Sequence, residues 1–415
     1  MNDNTVYIIE SNSAGNGVNA ILNAKKEGYL THFVTNLPDK YQYMEPNPME
    51  IAEKVTQIDT MDVIQMLHFF EDKKPAAIMT FDDFHILPVA VVSNTFGLIA
   101  PPIDGLINVR FKDKTREKTK GLGYPIKFVA IHTEELSTSS PIGYPCVVKP
   151  VDESGSVGVK LCLNDNDFIE ASNKIKNFQS NITGYKYMKK LLVEEYIVGD
   201  EFSAEMCWDV EGNKWRIIGF TKKLLSKPPY FIEMGHIYPH FFSNDSLIVI
   251  EEILLKWLKA VNLTRSFAHI EFKLVNNQPV LIEINPRPAG GFINKLVEMV
   301  SKNDLIKHYM DLSLNKPLDL EKSEKSEKIS SIKFVLPPKK GYLIDVEKTV
   351  ISDEVEEFKI NIKEKIIEDI TNGDDRIGYV ISIGPTVADV ELINESFINS
   401  LIFKYRNESD ENVKS

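Results

Sequence analysis

Cysteine is scarce. Cys146, Cys162 and Cys207 are the three in 415 residues, with neither a CxxC spacing nor the even set that a disulfide framework needs. Each lies in an apolar, strand-like run, which points to reduced core residues. There is no excess of positive charge: Lys plus Arg at 48 against Asp plus Glu at 60 leaves −12. That balance argues against a general nucleic-acid binder or a partner of anionic membranes, while leaving room for a local basic pocket. No segment approaches about 18 uninterrupted apolar residues, and TVYIIE opens a strand without a basic region followed by an apolar run. Membrane contact is not expected, and a cytoplasmic location is. Internal repeats are absent. What is present is an ordinary mixture, 43% hydrophobic and 26% charged, long enough for about two to four domains.

From Thr5 to Val109 strands alternate with helical stretches (TVYIIE, VNAILNAKKEG, YLTHFVTN, PAAIMTFDD, HILPVAVVSNTFG), the rhythm of an open parallel sheet with covering helices. The first turn, SNSAGNG, lacks the GxGxxG spacing, and YLTHFVTN ends in Asn36 rather than an acid, so a dinucleotide site is not expected. A tight strand-to-helix turn is the preferred reading. LDLEKSEKSEKISS (318–331) reads as a solvated linker or loop. Strand-like runs and one helix near 386–402 follow, a small α+β unit.

The chemistry concentrates in AHIEFKLVNNQPVLIEINPR, two alternating strands around a polar turn. A three-residue loop of Asn276, Asn277 and Gln278 pairs residues whose numbers sum to about 554 under the hairpin rule, setting Ile270 against Ile284 and Phe272 against Ile282 on a core face. It also sets Glu271 against Glu283. Like charges opposed across a sheet destabilise it, and a divalent cation supplies the reason to keep them. Glu271, Glu283 and Asn285 offer hard oxygens that suit Mg²⁺ or Mn²⁺. A two-residue loop would put the glutamates on opposite faces. Upstream, GYPCVVKPVDESGSVGVKLC carries Lys149 before a small-residue loop, where Gly155 and Gly158 let backbone N–H groups approach an anion. LLVEEYIVGDEFSAEM runs an apolar strand into Glu194 and Glu195, with a second strand near Glu201.

Taken in order, Lys114, Lys149, the Gly loop, VEEYIVGDEF and EINPR resemble the ATP-grasp superfamily of carboxylate–amine ligases, the metal box looking like that of biotin carboxylase and D-alanine–D-alanine ligase. The resemblance implies an α/β protein with a Rossmann-like pre-grasp domain (1–109) and two ATP-grasp subdomains (110–186 and 187–317). A small α+β closing domain (318–405), similar to that of carboxylase-like members, and a disordered tail (406–415) complete it. It implies that Lys114 and Lys149 bind ATP phosphates under Glu153, Ser154, Gly155, Ser156 and Gly158. Glu194 would meet the adenine amino group with the backbone of Glu195 and Ile197, and Glu201 the ribose. Glu271, Glu283 and Asn285 would hold Mg²⁺, and Arg287 would steady an acyl phosphate, its fork fixed between Pro286 and Pro288.

GFTKKLLSKPPYFIEMGHIYPHFF resembles the corresponding segment of the dipeptide-forming L-amino-acid ligases. Glu233 is thereby assigned an α-ammonium group and His236 a carboxylate or acyl phosphate, alongside Arg287, Gly290 and Gly291 as substrate contacts. Lys222 or Lys223 reaches phosphate, since only one can share that strand face; Lys222 joins Arg287 and His236 in the catalytic set. His269 is expected on the core side, in a structural role. The leading expectation is an ATP-dependent ligase joining a carboxylate, an amino acid, to an amine, with homodimerisation allowed. A bicarbonate-using carboxylase is the alternative, though no biotin-carrier motif is present. A non-catalytic ATP-binding regulator is a third reading, which the complete set of Glu271, Glu283, Asn285 and Arg287 disfavours.

Overall fold

The computed structural model describes residues 4–12, 14–320, 327–348, 353–360 and 364–406. The tail expected to be disordered lies, but for Arg406, outside them, as does 321–326 of the charged stretch. The N-terminal unit is a parallel sheet in the order Lys54–Gln57, Leu30–Thr35, Thr5–Ile9, Ala77–Met79. Its first strand is buried at every residue, as a parallel strand covered on both faces must be. Glu10, just beyond it, is also buried, its carboxylate accepting from Tyr41 (2.6 Å), Thr35 (2.9 Å), Thr60 (3.0 Å) and the Asn36 backbone N–H (2.6 Å).

A four-stranded antiparallel sheet follows, ordered Phe128–His132, Lys190–Glu195, Cys146–Pro150, Lys160–Cys162, with helix Asp165–Lys176 on its back. Pairing of Lys190–Glu195 with both neighbours carries this subdomain to Glu195, past the expected division at 186. The glycine loop joins Cys146–Pro150 to Lys160–Cys162. All three cysteines are free and buried.

The second grasp sheet has eight strands. Its centre is Glu201–Asp209, buried along its whole length, flanked by Lys214–Leu225 and Phe267–Val275. Helix Asn244–Ala260 covers one face, its Ile250, Leu254, Trp257 and Leu258 packing on Ala204, Ile270, Phe272, Leu281 and Ile284. That spacing is one stripe of a helix, and Ser243 caps its start by accepting from the Ser246 N–H. The odd-numbered face of the central strands is left for polar side chains. The sheet does not stop at residue 318. Ile329–Val335 pairs with Glu233–Tyr238, and Gly378–Gly384 and Val355–Ile360 continue outward, so the C-terminal region extends the grasp sheet by main-chain hydrogen bonds. No described helix is long and apolar enough to cross a membrane.

Candidate active site

Between the two grasp sheets lies a cleft lined by residues of both. The acidic hairpin forms its floor. Its turn has two residues, not three: Asn276 and Asn277 both adopt positive φ, at 49° and 61°, and Val275 pairs with Gln278. By alternation alone this would separate the glutamates. A β-bulge at Ile282 restores them: Phe272 pairs with Leu281, Glu271 with Glu283, and His269 with Asn285. The bulge puts Leu281 on the core side in place of Ile282, where it also borders the cleft that Ile282 lines. The freed Ile282 carbonyl accepts from Arg116 at 3.3 Å.

Cations answer this acidic pair on every side. Lys223 is 5% exposed, its ammonium 2.7 Å from Glu271, 3.0 Å from Glu233 and 3.1 Å from Glu201. The choice of Lys222 is corrected by the pleat: Lys222 points away and pairs with Asp200 at 2.9 Å. Burial would neutralise Lys223, but the three carboxylates outweigh it and hold its pKa well above the usual range. Lys112 lies 3.1 Å from Glu283, to which Asn285 also donates at 2.8 Å. Burial raises the Glu283 pKa, and Lys112 and Asn285 more than reverse this. His269 does not face the core. It shares the odd face, 2.7 Å from Glu205 and 3.0 Å from Glu271, contacts that overcome its burial and raise its pKa to about 10, so it is an imidazolium.

Helix Lys112–Thr119 presents Lys112 and Arg116, one turn apart, to the cleft, whereas Lys114 is exposed and outside its lining. The expectation for Lys114 therefore passes to Lys112. Lys149 is buried against Glu194 at 2.5 Å, and Arg116 bonds the other oxygen. Burial raises the Glu194 pKa, but these two cations overcome it and hold it at about 2. Both Glu194 oxygens are thus engaged by these two cations. The apolar end of the cleft is made by Ile126, Val147, Leu281 and Phe231 beside Glu195 and Ile197. The Ile197 carbonyl accepts from Lys273 at 3.1 Å.

In the glycine loop, Glu153, Ser154, Gly155 and Ser156 line the cleft. Gly155 (φ +65°) has no atom within 4 Å of a built Cβ, leaving its backbone open to a ligand. Gly158 is different: a Cβ there would fall 3.1 Å from the Phe178 ring, so this glycine serves packing rather than anion approach. Arg287 is oriented less by its prolines than by Asp83 of the N-terminal unit, donating Nε and Nη2 to the two carboxylate oxygens at 2.6 Å each. Glu233 lines the cleft. His236 is wholly buried, its Nε2 3.9 Å from Glu233 Oε2 and neither ring nitrogen hydrogen-bonded, and burial pushes its pKa down to about 4, only partly offset by Glu233. Gly291 faces it, a Cβ there falling 2.6 Å from Nε2. Gly290 has open space where a Cβ would be.

Among the described residues no three His, Cys, Asp or Glu side chains converge as a metal cluster. The opposed Glu271 and Glu283, with the Asn285 amide, nevertheless form a hard-oxygen set whose charge is now met by lysine ammoniums, which fits a divalent cation. Motif reading missed Lys112, Arg116 and Asp83, and took Lys222 over Lys223 from the pair it named. A lysine and an arginine four apart in KDKTREK were the one available signal for the first two.

The ATP-grasp domain family model matches residues 142–295, the stretch that contains the glycine loop, Lys149, Lys223 and the acidic hairpin. An uncharacterized protein of Sinorhizobium fredii is 23% identical over 88% of this chain and 75% of its own length. Alanine–anticapsin ligase of Bacillus subtilis is 26% identical over 59% of this chain, an alignment spanning 55% of that protein. In three dimensions the chain is similar to an L-amino acid ligase from Bacillus licheniformis, with a TM-score of 0.82 at 19% identity over 97% of this chain and 99% of that one. Residues 142–295 thus match an ATP-grasp domain, and the chain as a whole has the fold of ATP-grasp ligases.

Proposed function

We propose that the protein is an ATP-dependent ligase that activates the carboxylate of an amino acid as an acyl phosphate and joins it to an amine, releasing ADP and phosphate. The observation that carries this reading is Glu271 held opposite Glu283 beside Lys112, Lys149 and Arg116, because a site that only held a nucleotide would not need two opposed carboxylates at its cationic end. ATP enters with its base toward Ile126, Val147, Leu281 and Phe231 and its phosphates toward Lys112, Lys149 and the open backbone at Gly155. Glu271, Glu283 and Asn285 would hold Mg²⁺, which supplies charge neutralisation of the phosphate oxygens.

The substrate carboxylate attacks the γ-phosphorus, the bond to the β-phosphate oxygen breaks, and ADP leaves. Fixed cations are effective here because they are already oriented: Glu194 sets Lys149 and Arg116 before substrate arrives. An amine then attacks the acyl carbon, loses a proton, and phosphate departs. Asp83 holds the Arg287 guanidinium, and Glu233 in the cleft lining would supply a carboxylate for an ammonium group. The relatives named as ligases of amino acids support the substrate class.

The test is a screen of amino-acid pairs for ATP consumption, with the nucleotide product identified. Amino-acid-dependent ADP and phosphate support the reading. AMP and pyrophosphate would replace the acyl phosphate with an adenylate, and ATP binding without turnover for any acid and amine would leave a nucleotide-binding protein.

A further inference from the structure

One side chain from the C-terminal region reaches the cleft residues. Arg376 follows the turn Gly373–Asp375, which is closed tightly: Asn372 accepts from the Asp374 N–H at 2.7 Å, and Asp375 accepts from the N–H groups of Thr371 and Asn372 at 2.8 and 3.2 Å. The guanidinium lies 4.0 Å from the Phe334 ring centroid, and a Cβ at Gly373 would fall 3.2 Å from its Cζ. A flat group bracketed by a ring and a glycine keeps only its edge free, and that edge meets Glu233. Nε and Nη2 donate to the Glu233 carbonyl oxygen at 3.1 and 2.8 Å, and Nη2 donates to Oε2 at 3.2 Å. Lys223 holds the other carboxylate oxygen, Oε1, at 3.0 Å.

Glu233 is therefore fixed in backbone and side chain by Arg376 from outside and by Lys223 from the sheet. Three residues on, His236 is buried beside Phe334 and faces Gly291, its Nε2 3.9 Å from Glu233 Oε2 and neither ring nitrogen hydrogen-bonded. A carboxylate fixed in place next to an unsatisfied imidazole makes a receptor for a small group rich in hydrogen-bond donors. A carboxylate with two cationic neighbours already present binds an incoming ammonium only if its position is set so that one oxygen can be released without the loop moving. The main-chain contact from Arg376 does this, since it holds the Glu233 backbone whether or not the side chain is engaged.

We propose that Arg376 is a positioning residue for the amino-acid subsite, holding Glu233 for the free α-ammonium group of the substrate and making the C-terminal region part of substrate selection. The inference rests on the ligase reading. It predicts that the enzyme distinguishes α-amino acids from the same acids with an acetylated nitrogen, and that this distinction depends on Arg376.

The experiment measures phosphate release by the full-length protein against amino-acid and ATP concentration, with the most active free amino acid of the screen and its N-acetyl derivative, for wild type, Arg376→Lys and Arg376→Ala. Expected is a rise in amino-acid KM of tenfold or more for both variants, with ATP KM within about twofold, and a shrinking preference for the free amine. Lysine keeps the charge and its stem keeps contact with Phe334, but it cannot bond the carbonyl and carboxylate together, so it tests positioning even if the alanine variant folds poorly. Unchanged amino-acid KM, equal rises in amino-acid and ATP KM, or a lower melting temperature with unchanged KM would each overturn the assignment and leave a structural contact. A wild-type protein that binds ATP yet releases no phosphate with any amino acid would instead remove the ligase reading, and this proposal with it.

Discussion

Lys223→Met isolates the electrostatics of the cleft. The substitution keeps an unbranched apolar stem and removes one ammonium that lies 2.7 to 3.1 Å from Glu271, Glu233 and Glu201. At about 3 Å and an effective dielectric of about 20, each attraction is worth roughly 5 kcal/mol gross, most of it offsetting the desolvation of two buried groups, Lys223 and Glu201, and two partly buried ones, Glu271 and Glu233. Removing the common partner leaves carboxylates uncompensated, and the net cost should be about 3–5 kcal/mol at neutral pH. Unfolding of the grasp region should then begin on the order of 10 °C lower.

The sign of the pH dependence follows from the wild-type shifts. Burial raises Glu271 and Glu233, yet Lys223 above all brings both below their ordinary 4.5, so their contribution is present above that value and fades as pH falls. Without Lys223, burial and mutual repulsion raise them instead, and the variant loses stability as pH climbs through the raised values. The gap between wild type and variant should be widest near neutrality and close as pH drops toward about 4.5. Mg²⁺ should recover more of the variant's melting temperature than of the wild type's, since it supplies the missing positive charge. Circular-dichroism melts across that pH range decide the matter. A variant that melts like wild type at neutral pH, or a gap that widens on acidification, would refute the reasoning.

Lys112→Met should weaken ATP binding by tenfold or more, as expected for loss of a charge-assisted contact worth about 1.5–3 kcal/mol, whereas Lys114→Met should leave it unchanged; calorimetric titration of both reads the helix phase directly. Glu194→Gln should flatten the acid limb of the stability curve, because the wild-type carboxylate, at about 2 when folded against 4.5, contributes above 4.5 and loses that contribution between the two values. An unchanged acid limb in chemical denaturation would contradict the buried pairing with Lys149 and Arg116. Glu283→Gln should lower kcat by roughly a hundredfold or more and also lower the ligand-free melting point, since Lys112 loses the carboxylate it pairs with; retained phosphate release would end its role in the metal box.

The acidic hairpin shows how local sequence can lead to a correct pairing through an incorrect path. Alternation required an odd loop to oppose Glu271 and Glu283; the chain uses a two-residue turn and a bulge at Ile282, whose net register is the same. A bulge leaves no mark in a run such as VLIEIN, because Leu281 and Ile282 are equally apolar. Lys222 and Lys223 could not be told apart for a related reason: two adjacent lysines in GFTKKLL give no phase of their own, and the alternation of the neighbour strand Glu201–Asp209 fixes it only once the pairing of Lys223 with Glu201 is known. In KDKTREK every residue is polar, so the helix gives no apolar stripe to orient Lys112 against Lys114. The pairs Arg287 with Asp83 and Arg376 with Glu233 join residues 204 and 143 positions apart, and only the fold brings them together. What was legible was the ordered series of motifs and the strands that carry them; what was not was which of two adjacent polar residues faces inward.

The central claim is that a carboxylate is activated by direct phosphorylation, and isotope transfer tests it most directly. An active amino acid labelled with ¹⁸O in its carboxylate is turned over with ATP and an acceptor amine, and the released phosphate is analysed by mass spectrometry. Because the amine displaces the phosphate together with the oxygen that attacked phosphorus, the account predicts one labelled oxygen in each phosphate, none in ADP, and dependence of the transfer on Glu283. Phosphate free of label, or label recovered in AMP, would contradict it.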